Sequence, residues 1–201
     1  MAAPLEFYFD FSSPYGYIAA HRIDAIAAKH GREVIWRPFM LGATFKLTGA
    51  QPLTLYPLKG AYSTMDFARS ARQHGIAFRM PQRFPVASIA AARGFYWLDA
   101  SDSALAKRFA IAIYDAFFVD NRDISDPQVI EAVAASVGVD GKALLQATQQ
   151  PELKARLKEV TDEAVEKRGV FGSPFIFVDG EPFWGADRLD MIDQWLARGG
   201  W

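Results

Sequence analysis

The chain has 201 residues, with 22 Lys and Arg against 23 Asp and Glu, a formal net charge of −1 and no cysteine. This balance, with a pI near 6.3, gives no global attraction to nucleic acid or to an anionic membrane. The missing cysteines rule out a disulfide scaffold and any thiol nucleophile of the chain's own. No apolar run approaches the roughly 18–20 residues needed to cross a bilayer. Hydrophobic residues make up 51% of the chain and include 16 Phe, enough for a large core in one domain or in one domain with an insertion. The start, Met1-Ala2-Ala3-Pro4-Leu5-Glu6, lacks the basic and apolar regions of a signal peptide, so a soluble cytoplasmic protein is expected.

Leu5–Phe11 places Phe7, Phe9 and Phe11 at alternate positions, the period of a half-buried strand. Ser13 then Pro14 is a favourable N-cap and N1 pair, predicting a helix over Pro14–His30 that stops at Gly31. Glu33–Phe39 reads as a second strand, and a strand–helix–strand unit this short predicts parallel strands with a right-handed crossover. Leu41 to Pro57 is rich in Gly, Thr, Pro and Leu without period and reads as an irregular connection. From Tyr62 to Gly169 apolar residues recur three and four apart, over Thr64–His74, Val86–Leu98, Ala104–Phe118, Pro127–Ser136, Gly141–Thr148 and Glu152–Arg168. In the last of these, Leu153, Leu157, Val160 and Ala164 form one stripe, ended by Gly169 as a C-cap. Pro174–Val178, the turn Asp179-Gly180 and Glu181–Trp184 predict a hairpin. Asp187 can cap a last helix with the stripe Leu189, Ile192, Trp195 and Leu196. The order βαβ, helical block, ββα predicts an α/β protein. Residues 1–40 and 169–201 form a discontinuous thioredoxin-like domain, and 41–168 an inserted all-helical domain.

Three segments are candidates for chemistry. The strand ending near Phe11 runs into a helix start and presents the Ser13 hydroxyl there. Thiol–disulfide proteins of the thioredoxin type carry Cys-x-x-Cys at that place, where this chain has Ser13-Pro14-Tyr15-Gly16. In Gly169-Val170-Phe171-Gly172-Ser173-Pro174-Phe175, a proline opening a strand is compatible with a cis bond, and Ser173 before it can offer its backbone to a peptide-like ligand. In Trp184-Gly185-Ala186-Asp187, the carboxylate can pair with an α-amino group while neighbouring backbone N–H groups take a carboxylate, a combination suited to the γ-glutamyl end of glutathione. Each also has a plain reading: Ser13 and Asp187 as caps, and Pro174 as an ordinary strand opening. The three histidines, at 21, 30 and 74, show no metal-ligand spacing. There is no dinucleotide or phosphate loop, no Gly-x-Ser-x-Gly elbow and no basic–aromatic pattern for nucleic acid.

Taken together, these residues resemble the 2-hydroxychromene-2-carboxylate isomerase family. That family is related to kappa-class glutathione transferases and, more distantly, to DsbA-type disulfide oxidoreductases. The resemblance rests on Phe7-Tyr8-Phe9-Asp10-Phe11-x-Ser13-Pro14-Tyr15 and on the stretch from Arg37-Pro38 to Lys59-Gly60. It extends through Asp66-Phe67-Ala68-Arg69, Arg83-Phe84-Pro85, Phe171-Gly172-x-Pro174 and Gly185-Ala186-Asp187-Arg188. It implies glutathione as cofactor. Ser13 would then be the catalytic serine that hydrogen-bonds the glutathione sulfur. Ser173 and Pro174 would be the residue pair at a cis-proline, Ala186 and Asp187 the γ-glutamyl site, and Lys59 the cation near the glycine carboxylate. Relatives often carry Asn where this chain has Ala50, so one side-chain contact to glutathione is missing.

The implied reaction is cis–trans isomerisation of a conjugated aromatic 2-oxo acid, of the 2-hydroxychromene-2-carboxylate to trans-o-hydroxybenzylidenepyruvate type, in aromatic-compound catabolism. The glutathione thiolate adds reversibly and leaves again, and glutathione is unchanged at the end. A free thiol is only about 3% thiolate at pH 7, and lowering its pKa by about two units requires roughly 2.7 kcal/mol, within reach of a charged hydrogen bond and a helix N-terminus. Lys59 or Arg83 would meet a substrate carboxylate, with Phe84, Phe95, Tyr96 and Trp97 as available aromatics. The alternatives are a kappa-like glutathione transferase or peroxidase and a non-catalytic thioredoxin-like binding module. A homodimer is implied by analogy with the kappa class; no metal, nucleic acid or membrane partner is expected.

Overall fold

Four strands form one mixed sheet in the order β2-β1-β3-β4. The structure, a computed structural model, describes residues 3–201; Met1 and Ala2, part of the N-terminal segment read above, lie outside the described residues. Strand β1 (Leu5–Phe9) runs parallel to β2 (Val34–Pro38) and antiparallel to β3 (Phe175–Val178), which turns back into β4 (Glu181–Trp184). The hairpin turn has Asp179 and Gly180 at φ 53° and 89°, the left-handed pair a two-residue connection requires. The parallel pair needs a crossover, supplied by helices α1 (Pro14–Ala20) and α2 (Ile23–Lys29).

The central strand is buried on both faces, not one. Leu5, Phe7, Tyr8 and Phe9 are all shielded from solvent. Phe7 and Phe9 stack at 4.9 Å and meet Trp36 edge-on at 5.1 and 5.4 Å. Tyr8, pointing the other way, packs edge-on against Phe39 and Phe177. Phe9 also faces Phe95 and Tyr114 of the helical block, so sheet and helices share one hydrophobic cluster.

The single helix expected over Pro14–His30 breaks at His21-Arg22. The Arg22 N–H turns to the Ala19 carbonyl at 3.0 Å, and Arg22 leaves the helical region at φ −122°. The break serves two environments. Helix α1 is buried at nearly every residue, whereas α2 buries only Ile23, Ile26 and Ala27 and leaves its other face to water.

The connection from Leu41 to Pro57, expected to be irregular, contains helix α3 (Gly42–Thr48) and a 3₁₀ turn at Leu53–Leu55. Only Thr44 of α3 is buried, so no apolar stripe marks it. The Thr44 and Thr48 hydroxyls donate to carbonyls one turn back, and Gly49 at φ 67° ends it.

The helices that follow are α4 (Lys59–Gln73), α5 (Ile89–Asp99), α6 (Ser103–Phe118), α7 (Pro127–Ser136), α8 (Gly141–Ala147) and α9 (Pro151–Asp162). Asp102, Asp126 and Asp140 cap α6, α7 and α8. Helix α9 widens into a π turn at Glu163–Lys167, and the chain leaves at Gly169 with φ 66°, as the glycine predicts. Helix α4 begins five residues before the expected Thr64. Helix α5 begins three after Val86, beyond a cis Phe84–Pro85 bond.

The last helix, α10 (Leu189–Arg198), is entered through a 3₁₀ turn at Ala186–Arg188. Asp187 is therefore not its cap. It lies inside the turn, which is closed by the Arg188 N–H on the Gly185 carbonyl at 3.2 Å, and its side chain pairs with Arg188 at 3.3 Å. Of the stripe expected on α10, Leu189 and Ile192 are buried while Trp195 and Leu196 are partly covered. Among the described residues no helix is long and apolar enough to cross a membrane.

Candidate active site

After Phe9 the chain turns through Asp10–Ser13, closed by the Ser13 N–H on the Asp10 carbonyl at 2.9 Å. Ser13 is extended, at φ −99° and ψ 115°, and its hydroxyl does two things. It accepts the Gly16 N–H at 3.0 Å, the N-cap bond its position predicts, and it donates to the Ser173 carbonyl at 2.8 Å. The Ser173–Pro174 bond is cis. Ser173 is held in turn by the Asp10 N–H on its hydroxyl at 3.0 Å, and the Pro174 carbonyl accepts the Gly185 N–H at 3.1 Å. Two stretches 160 residues apart are thereby joined, and the Gly185-Ala186-Asp187 segment is tied to them through Pro174.

Gly16, at the last position of the Ser13-Pro14-Tyr15-Gly16 stretch, has no room for a side chain. A Cβ there would stand 2.8 Å from the Tyr114 hydroxyl and 2.9 Å from the Ser173 hydroxyl. Tyr114 is fixed by donating to the Asp10 carbonyl at 3.0 Å. The place of a second cysteine in a dithiol motif is filled by two hydroxyl groups.

Beneath this turn lies Asp10, which sequence reasoning passed over. Its carboxylate is buried and accepts the Ser12 N–H at 2.8 Å, the Ser88 hydroxyl at 2.9 Å and the Leu41 N–H at 2.9 Å. Burial pushes its pKa up, against the three donors that favour the anion, and no cation stands among its partners. Ser12 accepts the Val86 N–H at 3.1 Å, a second link from the turn to the segment before α5. The available signal was an acid inside the otherwise aromatic run Phe7-Tyr8-Phe9-Asp10-Phe11.

Tyr15 was also missed. Its ring packs edge-on against Phe67 at 4.9 Å, and its hydroxyl donates to Asp66 on α4. Burial raises the Tyr15 pKa, and the Asp66 carboxylate and, more weakly, Asp187 push the same way. Burial works against the Asp66 carboxylate, but the Tyr15 hydroxyl and Arg69 outweigh it and hold Asp66 below the ordinary range. Arg69 reaches on to the Tyr62 hydroxyl at 3.1 Å.

Lys59 is the first residue of α4, exposed, with its ammonium 5.5 Å from the centre of the Tyr56 ring. It is two turns ahead of Asp66 on the same side of the helix, about 10.5 Å along the axis at ~1.5 Å per residue. Asp187 is largely exposed beside the buried Ala186. Arg83 is taken up by Asp123 at 2.6 Å. Of the aromatics, Phe95 and Tyr96 belong to the core, and the Tyr96 hydroxyl donates to the Pro38 carbonyl at 2.7 Å. Phe84 and Trp97 are partly covered. Ala50 offers only its backbone N–H, which donates to Thr48.

Two open grooves, of about 340 and 430 Å³, share Asp24, Trp36 and Lys107 and are lined by none of these site residues. Their polar groups answer one another: Asp24 accepts from both the Trp36 indole and Lys107. Among the described residues no group of His, Asp and Glu is arranged to hold a metal.

Residues 4–197 match the family model of the DSBA-like thioredoxin domain. Over 198 residues the chain is 28% identical to a 2-hydroxychromene-2-carboxylate isomerase of Sphingobium xenophagum, covering 98% of this chain and 99% of that one. It is 27% identical to a kappa 2 glutathione S-transferase of Caenorhabditis elegans, covering 96% and 92%. Among solved structures it is similar to a 2-hydroxychromene-2-carboxylate isomerase, with a TM-score of 0.86 at 27% identity, covering 96% of this chain and 94% of that one.

Proposed function

The chain belongs to the DSBA-like thioredoxin domain family, and within it we propose a glutathione-dependent isomerase acting on a conjugated aromatic 2-oxo acid. One observation carries this reading. In a chain without cysteine, the Ser13 hydroxyl is buried at the turn where the family fold presents a thiol, hydrogen-bonded to the backbone beside a cis-proline. Similarity to named isomerases over nearly the whole chain supports the reaction class.

The donor set fits a thiol-bearing γ-glutamyl tripeptide. Ser13 supplies a neutral hydroxyl for the sulfur. Ser173 supplies backbone groups beside cis-Pro174. Asp187 is exposed and shares one carboxylate oxygen with Arg188, which leaves Oδ1 for the α-ammonium, and Lys59 brings an exposed ammonium that lies beside the Tyr56 ring. Glutathione, when bound, would supply the thiolate that adds reversibly to the conjugated double bond.

The chain's own part is to hold that anion. The Ser13 O–H is parked on the Ser173 carbonyl. A backbone N–H arriving at that carbonyl competes with it and frees the O–H to turn toward an acceptor at the mouth of the site. Helix α1 is only seven residues long, so its dipole contributes less than the 17-residue helix expected from sequence. The hydroxyl and the local backbone N–H groups therefore carry most of the work. Lys59 is the better cation for a carboxylate, because Arg83 is neutralised by Asp123. A cytoplasmic homodimer is part of this reading.

Calorimetric titration tests it first: glutathione should bind at millimolar concentration or below, and no heat at that level would refute the cofactor. Product analysis with benzylidenepyruvate-type substrates then separates outcomes. An isomerase leaves total glutathione constant, whereas consumption in step with product would assign a kappa-like transferase instead.

A further inference from the structure

We propose that Asp10 is the positioning residue of the serine site: its carboxylate clamps the turn carrying Ser13 to the two segments that enter helices α3 and α5. The inference deepens the glutathione reading and rests on it only for the second readout below.

Asp10 is engaged through every polar group it has. Its backbone N–H holds the Ser173 hydroxyl at 3.0 Å. Its carbonyl takes the Ser13 N–H at 2.9 Å and the Tyr114 hydroxyl at 3.0 Å. Its carboxylate takes Ser12, Leu41 and Ser88 at 2.8–2.9 Å. Leu41 stands just ahead of α3, and Ser88 is the residue that flanks α5. Ser88 makes no cap bond to its own helix, and its hydroxyl donates to Asp10. One buried side chain thus joins the end of β1, the entry to α3 and the entry to α5, while its backbone sets Ser13, Ser173 and Tyr114. The Ser13–Ser173 bond and the close fit of Gly16 against Tyr114 and Ser173 both depend on where this residue sits.

A second observation separates positioning from electrostatics. No cation stands among the carboxylate's partners. A negative charge behind the turn opposes a second anion in front of it, so charge alone gives Asp10 no reason to be there in a site that holds a thiolate. A clamp does: a carboxylate accepts three bonds with no donor of its own to misplace.

The test uses Asp10→Asn and Ser88→Ala in the full chain. Asn keeps the shape but sets an NH₂ group against one of the three donors; Ser88→Ala removes one donor and leaves the carboxylate. Backbone amide exchange is read first. Positioning requires the Ser13 and Gly16 amides, neither of which bonds the carboxylate directly, to exchange at least tenfold faster in both variants, with Leu144 of α8 unchanged. Unchanged Ser13 and Gly16, or the same acceleration at Leu144, overturns the proposal. Should Asp10→Asn fail to fold, Ser88→Ala carries this arm alone. Glutathione affinity is read second. A positioning role weakens binding tenfold or more in Asp10→Asn, whereas a residue acting only by charge would bind glutathione more tightly once neutral, which also overturns the proposal. If the unaltered chain binds no glutathione, the cofactor reading fails, and amide exchange still decides the role of Asp10.

Discussion

Ser13 is where local folding and chemistry use one atom. The same oxygen caps α1 and donates to the Ser173 carbonyl, so Ser13→Ala removes an acceptor from the Gly16 N–H and a donor from a buried carbonyl. The cap is worth about 1 kcal/mol and the orphaned carbonyl about as much again, so we expect a loss of roughly 2–3 kcal/mol in a denaturant titration. If the hydroxyl also stabilises the attacking anion, turnover falls at least about 100-fold, equivalent to ~2.7 kcal/mol. A variant that loses stability but keeps its turnover would leave Ser13 as a cap and nothing more. Gly16 gives a second test at this scale. With Tyr114 and Ser173 hydroxyls within 2.9 Å of a Cβ, Gly16→Cys is overpacked by about 1–3 kcal/mol. The double variant Ser13→Cys/Gly16→Cys should therefore be less stable and fail to reduce insulin disulfides in the presence of dithiothreitol. Wild-type stability with a disulfide between positions 13 and 16 would show that the space is not closed.

Among the elements, β1 is tied on both sides by one acid. Glu6 accepts Arg37 of β2 at 2.8 Å and Arg168, just beyond α9, at 2.8 Å, and Arg168 lies 4.1 Å over the Phe177 ring of β3. Burial alone would raise the Glu6 pKa, but the two guanidinium groups outweigh it and hold the carboxyl below its ordinary value. Because the folded-state pKa is depressed, this stabilisation is fully present above about pH 4.5 and is lost as pH falls through the folded value. Glu6→Ala should cost roughly 1–3 kcal/mol at pH 7, and the gap to the unaltered chain should close on acidification. An equal gap at pH 7 and pH 3 would remove the ion pairs from the account.

Much at this scale was legible in the chain. The Asp179-Gly180 turn, the bounds of α7 at Pro127–Ser136 and the Gly169 stop are local signals, and the structure has them where the residues suggest. The misses share a cause. The break at His21-Arg22 and the burial of Tyr8 answer to packing partners far away in sequence, which no local period encodes. Helix α3 was hidden because it buries Thr44 alone. In the site, Ser13, Ser173 and Asp187 could be named from motif and position. For Asp10 the chain shows only an acid in an aromatic run, and the roles of Asp10 and Tyr15 rest on the partners Leu41, Ser88 and Asp66, which lie 31, 78 and 51 residues away.

At the scale of the molecule, one surface does not match the rest. Of the twelve large hydrophobic residues exposed among the described residues, six lie between 47 and 65: Leu47, Leu53, Leu55, Leu58, Tyr62 and Met65. They run from α3 through the 3₁₀ turn into α4, and Leu58 is 94% exposed with φ 63° immediately before Lys59. Scattered exposed leucines need no explanation, but a run confined to one segment of a chain with near-zero net charge favours self-association. If the homodimer of the proposed function exists, this segment is its candidate seam, and Lys59 at the start of α4 then borders the partner as well as the site. Sedimentation velocity at micromolar concentration should give a dimer for the unaltered chain. The double change Leu55→Glu/Leu58→Glu, at two exposed positions outside the core, should give a folded monomer with an unchanged circular dichroism spectrum. It should bind glutathione more weakly than the unaltered chain, because Lys59 loses the wall that orders it, while turnover at saturating glutathione stays within about twofold. A monomeric unaltered chain refutes the dimer. A dimer that survives both glutamates moves the seam elsewhere and returns Lys59 to a site built within one chain.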